Sequence, residues 1–232
     1  MSVDGRQARW ERHNQERRRA ILAAAIQVIE EAPPNQEVHV ALIADRAGVG
    51  RTVIYRHFAD RSDLDREIRV AILDDVWGHL LPVLSLEGTI PQIIERVVAE
   101  YVGWAADHPA LHRIAATAEA DDENPLDKGL SMIAGRIVEL IETALALLAL
   151  EVSDDEKAAL DPLIHGLVGA VFGVVRRWLS RPAREPGVEV LVQLTTSSVW
   201  YLIQGHARAL GIELRADQPI EELLAGALSM EA

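Results

Sequence analysis

An all-α fold follows from three features of this sequence. Its apolar residues are mostly Ala, Leu, Val and Ile, with aromatics at only 4%, a composition that favours helix. Those residues recur at helical spacing, and no stretch alternates with the period of a strand or offers an Asn-Gly hairpin turn. Prolines stand where segments begin, at Pro91, Pro109, Pro125 and Pro219, positions in a first helical turn where a missing N–H does no harm. Apolar types make up 49% of 232 residues. That suffices for a real core, arranged as a small N-terminal domain and a larger C-terminal helical bundle.

The elements follow in order. Residues 1–14 are polar and Arg-rich and read as a flexible arm. Ile21, Ala24, Ala25, Val28 and Ile29 then form the stripe of a helix over residues 15–31, which Pro33 and Pro34 end. Two short helices, 40–47 and 51–58, are parted by Gly48-Val49-Gly50. Asp60 caps a fourth helix, with Asp63 placed to reach back as the acid of a capping box. Its stripe is Leu64, Ile68, Ala71 and Ile72, and it runs to about residue 81, before Pro82. Helices are expected at 91–106, 109–119, 125–150, 154–180, 188–211 and 219–229. The resulting division is an arm at 1–14, a small helical domain at 15–62, and a larger helical domain at 63–232.

Composition narrows the chemistry. With no cysteine, the chain has no disulfide, no thiolate nucleophile and no Cys-ligated metal. The first residues lack the apolar core of a secretory signal, and a cytoplasmic setting is expected. The longest nearly apolar stretch, residues 163–175, is too short to span a bilayer and carries a His and three Gly. It reads as a buried interface helix, and no membrane partner is expected. A net charge of −13 argues against binding nucleic acid until its distribution is considered. Residues 1–70 hold 12 Arg against 11 acids; the remainder holds 11 basic residues against 25 acidic ones. The acidity lies outside the N-terminal third, where it repels DNA from every other face.

The informative stretch runs from Val40 to Leu64. Val40, Ile43, Ala44 and Ala47 share one face of a short helix, Gly48 permits a conformation that a side chain opposes, and Val49 plugs the angle. Ile54 and Phe58 then face inward from the next helix. Two short helices joined by a Gly-containing turn make a helix-turn-helix, with the first helix as the third wall. The outward residues are Arg51, Thr52, Val53, Tyr55 and Arg56. Arg can donate two bonds to guanine and Val53 offers a methyl surface to thymine. Tyr55 and His57 suit phosphates, as does Arg61 in the first turn of the following helix.

Here the chain resembles the TetR (tetracycline repressor) family of bacterial transcription regulators. The resemblance lies in RRAILAAAIQVIEE, IADRAGVGRTVIYRHF and DRSDL, at matching spacing over roughly residues 15–66. Four positions depart from the family pattern: Gly50 where a Ser or Thr cap is usual, Val53 for Thr, His39 for Thr, and Ala32-Pro33-Pro34 for a terminal Gly. The resemblance implies a homodimer that grips an inverted-repeat operator in double-stranded DNA, paired through its last two long helices. The residues suit that pairing. Gly166, Ala170 and Gly173 permit a close approach, and Leu191, Val192, Thr195, Val199, Leu202 and Ile203 form a stripe.

The resemblance also implies a pocket for a small-molecule effector, and Tyr101, Trp104, His108, Met132, His165 and Phe172 are its candidates, with plain core packing as the alternative for each. One reading of the whole is a repressor released by a largely apolar ligand. The other is a DNA-binding protein whose C-terminal domain only dimerises. The arm, with Arg6, Arg9, Arg12 and Trp10, either enters the minor groove or serves as a solubilising tail, and the tail is favoured. No cofactor and no metal are expected: His108 and His112 lack a third ligand. Asp121-Asp122-Glu123-Asn124 has no second motif that would make it the acidic metal-binding run of a terpene cyclase, so no enzyme is expected.

Overall fold

The computed structural model describes residues 4–33, 36–117, 124–147 and 152–222. Among them are nine α-helices: α1 (Asp4–Glu31), α2 (Val40–Arg46), α3 (Arg51–His57), α4 (Arg61–Leu80), α5 (Ile90–Asp107), α6 (Pro109–Ala115), α7 (Pro125–Leu147), α8 (Asp154–Leu179) and α9 (Val188–Ala209). A short 3-10 turn, Leu81–Val83, follows α4. Extended pairing among the described residues is limited to one bridge, Thr89 with Pro219.

The largest departure from the sequence reading is at the start. α1 begins at Asp4, so residues 4–14, expected as a flexible arm, are helical. Arg, Gln, Glu and Ala are good helix formers without an apolar face, and Arg9 to Glu16 are exposed. The stripe Ile21, Ala24, Ala25, Val28 and Ile29 is buried as expected.

The chain divides into two compact units, Met1–Asp74 with Ala110–Thr117, and Asp75–Pro109 with Ala118–Ala232. The division falls inside α4, beyond the expected boundary at 62. The cause is the first half of α4, which buries Leu64, Ile68 and Ile72. It is tied to α1 by an Arg18–Glu67 ion pair at 2.7 Å. Arg61 also donates to the Val38 carbonyl at 2.9 Å. The α4 start matches its sequence reading. The Asp60 carboxylate accepts from the Asp63 N–H, and the Asp63 carboxylate reaches back to the Ala59 N–H, both at 2.8 Å.

Within the second unit, α5 packs along α9 and α7 along α8. Thr89 and Gln92 form a reciprocal capping box at the start of α5. Nearby, Gly88 bonds with the residues after Pro219: its carbonyl accepts from Ile220 and its N–H donates to Glu221, both at 2.9 Å. Gly129 lies under Trp77, where a Cβ would meet the indole at 2.3 Å. The helix expected at 219–229 is described only at residues 220–222. The acidic run Asp121, Asp122 and Glu123 lies outside the described residues. The apolar helix expected to be too short for a bilayer is one part of α8, which by length and composition alone is long and apolar enough to cross one.

Candidate nucleic-acid interface

The interface is built on two short helices that could not stand alone. α2 ends at a glycine because its last carbonyls need partners. Gly48 takes φ +64°; its N–H bonds to the Asp45 carbonyl at 3.2 Å and that of Val49 to Ala44 at 2.9 Å, the paired bonds of a Schellman motif. The chain turns there and enters α3 through Gly50, which has no side chain to cap the helix. Of the departures from the family pattern, Gly50 and His39 begin their helices without a side-chain cap bond.

α3 has one buried side and one open side. Ile54 and Phe58 are 0% and 1% exposed, four residues apart and so on one face. Arg51, Thr52, Tyr55 and Arg56 are exposed on the other, while Val53 and His57 are half-buried. The open face therefore presents two guanidiniums, a hydroxyl and a phenol. Tyr55 and Arg51 line a shallow open groove with His39, Val40, Ala41 and Arg61. His39, noted in the sequence only as a departure, becomes a groove residue.

Arg18 holds the far end of α3, and sequence reasoning missed it. Its guanidinium donates to the His57 carbonyl at 2.7 Å, pairs with Glu67 at 2.7 Å and stacks over the Phe58 ring at 4.5 Å. In the sequence it sits within a run of three arginines that reads as a solvated face. Arg61, expected at a phosphate, is turned toward the protein: it pairs with Asp65 at 2.7 Å as well as bonding Val38. The His57 imidazole is held below the ordinary histidine range, first by desolvation and then by Arg18, Arg56 and Arg17. Three guanidiniums thus set a positive field at this end of α3, the sign that attracts phosphate.

Residues 21–68 match the family described as bacterial regulatory proteins, tetR family. Residues 21–68 thus carry the DNA-binding domain of the TetR family. An uncharacterized HTH-type transcriptional regulator of Mycobacterium tuberculosis is 24% identical over 222 residues, covering 94% of this chain and 91% of its own length. A tetR-family transcriptional regulator from Streptomyces coelicolor shares the fold with a TM-score of 0.62 at 17% identity, over 93% of this chain and 89% of that one. The fatty acid degradation regulator FadR from Bacillus halodurans shares it with a TM-score of 0.58 at 18% identity, over 78% of this chain and 96% of that one. TetR-family regulators bind DNA, and the all-α expectation and the helix-turn-helix agree with these findings.

The residues expected at an effector are only partly brought together. Tyr101 of α5 stacks with Phe172 of α8 at 6.4 Å between ring centres, and Trp104 lies against His108 at 5.3 Å. Trp104 also donates its indole N–H to Asp75 at 2.8 Å. Burial holds the Tyr101 hydroxyl neutral, well above its ordinary range. Met132 stands 46% exposed, and His165 is half-buried. Among the described residues no group of three or more His, Asp or Glu is placed to hold a metal.

Proposed function

We propose that this protein is a cytoplasmic, homodimeric repressor that leaves an inverted-repeat operator when a largely apolar small molecule binds its second unit. We assign it no catalytic role. One observation carries the DNA half: Arg51, Thr52, Tyr55 and Arg56 stand open on a helix whose other face, Ile54 and Phe58, is fully buried. Such a helix can enter a major groove without disturbing the fold. Arg51 and Arg56 are the base-reading candidates. Val53 supplies apolar contact at the edge, and Tyr55 and His57 contact phosphates. Arg61 acts through position, since its guanidinium already serves Val38 and Asp65.

The effector half is supported by the aromatic cluster Tyr101, Phe172, Trp104 and His108, with Met132 and His165 as outer candidates. The name of the Bacillus halodurans neighbour, a fatty acid degradation regulator, is in keeping with an apolar effector. The coupling we infer runs through α4, a continuous helix whose first residues bond the helix-turn-helix and whose Asp75 bonds Trp104. A ligand shifts the balance only by its difference in affinity for the two arrangements.

Binding to DNA from upstream of its own gene, followed by fluorescence anisotropy at moderate salt, tests the DNA half. Tyr55→Ala should weaken binding about equally across DNA sequences, as loss of a phosphate contact does; undiminished binding removes Tyr55 from the contact surface. A ligand screen by thermal shift tests the effector half, since a ligand of the folded state raises its melting temperature. A screen of apolar acids and their thioesters that leaves it unmoved favours the reading in which the second unit only dimerises.

A further inference from the structure

The five tryptophans are not treated alike. Trp77, Trp104, Trp178 and Trp200 are buried, whereas Trp10 is 67% exposed. It stands in the first turns of α1, where Gln7 and residues 9–16 are exposed. This overhang stays helical because it extends a helix that the buried stripe has already nucleated. An indole left in water forgoes the stabilisation of burial. Tryptophan and arginine together are the residues that most often anchor a protein contact, and Arg9 and Arg12 are exposed beside Trp10.

A surface of complementary character lies between the end of α1 and α2. An open groove there is lined by Val28, Val38 and Leu42 together with the exposed acids Glu31, Glu37 and Asp45. Leu42 is 45% exposed. Arg46 already holds Glu31, but Glu37 and Asp45 make no ion pair among the described residues, and neither does Arg12. The charges are segregated along the chain: residues 4–19 hold six Arg and three acids, residues 20–45 four acids and no Lys or Arg. Trp10 cannot reach its own groove. The two lie toward opposite ends of one 28-residue helix, about 30 Å apart at 1.5 Å per residue.

We propose that the first turns of α1 dock in the α1–α2 groove of another copy, with Trp10 against Leu42 and Arg12 facing Glu37 and Asp45. The occupant is a second copy because this chain carries both halves of the contact and cannot join them within itself. The contact is head to tail, so it links copies into a ring or a row, separately from any pairing through the last two long helices. The apolar pair supplies affinity, and the charges set orientation. DNA phosphates would suit the arginines but would leave Leu42 and the acidic groove uncovered. The inference goes beyond the repressor reading and requires neither operator nor effector.

With the other four tryptophans buried, Trp10 reports its own docking. Acrylamide quenching of the full chain, without DNA, is followed as its concentration is raised. Quenching should fall, and emission should move to shorter wavelength, as Trp10 leaves water. Leu42→Asp and, separately, Asp45→Arg alter the groove and leave Trp10 in place; each should raise the concentration required about tenfold or more. Arg12→Glu should do the same, and Arg12→Glu combined with Asp45→Arg in one chain should recover the loss. Circular dichroism checks that each variant is folded. Quenching that does not respond to concentration, or a response that both groove variants leave unchanged, overturns the contact. Protection of Trp10 by a DNA duplex alone also overturns it and assigns the overhang to nucleic acid. A chain that is dimeric by sedimentation equilibrium with Trp10 still quenched keeps the homodimer reading and loses this one.

Discussion

Arg18 shows how much one side chain can organise. Its fork bonds a backbone carbonyl at the end of α3 and a carboxylate on α4, while its plane covers Phe58. Lysine could supply the charge but not that planar geometry. Its neighbour His57 yields a testable consequence. Desolvation and three guanidiniums lower the folded-state pKa of His57, so the unfolded chain takes up this proton first. Stability is therefore lost as pH falls through the unfolded value near 6.5, and the loss levels off below the folded value. NMR titration of the imidazole should place its pKa below about 6.5 in the free protein and higher on operator DNA, where phosphate offsets the positive field. An unshifted value in both states would show that this field does not act there.

At the scale of elements, glycines that look alike in the sequence play opposite parts. Gly129 of α7 is required, because a methyl group there meets the Trp77 ring at 2.3 Å. Gly129→Ala should destabilise the protein by about 1–3 kcal/mol, the usual result of overpacking, measured as a lower urea midpoint at unchanged slope. Gly48 is required for its positive φ rather than for space, since nothing lies within 4 Å of its absent Cβ. The extension of α1 follows from composition in another way. Several of its residues form helix well, and Arg9, Trp10 and Arg12 are exposed, Trp10 at 67%.

For the whole molecule, the proposed homodimer would duplicate α3, and geometry then becomes decisive. Two faces related by a two-fold axis read half-sites at a set spacing and on one side of the duplex. Inserting about five base pairs between the half-sites turns one of them to the opposite side, about half a helical turn away. Gel-shift affinity for that altered operator should fall toward the nonspecific level, while an insertion of about ten base pairs should be less harmful. Equal affinity for all three spacings would show that the copies bind independently. The acidic balance outside the N-terminal third keeps the remaining surface from competing for DNA.

Local chemistry was legible in the sequence. The periodic stripes located the buried face of α1 and the first half of α4, the prolines marked helix starts, and Gly48 marked the turn into α3. The exposed side of α3 was readable as well, because Ile54 and Phe58 can share only one face. Each of these depends on residues within a few positions of one another. The tertiary structure decided what depends on distant partners. Arg18 reaches His57, Arg61 turns to Val38 instead of outward, Trp77 covers Gly129, and α4 belongs to two units. A pattern of spacings records which face of a helix is apolar, but not which of many chemically equivalent arginines or glycines will meet a neighbour when separate segments pack.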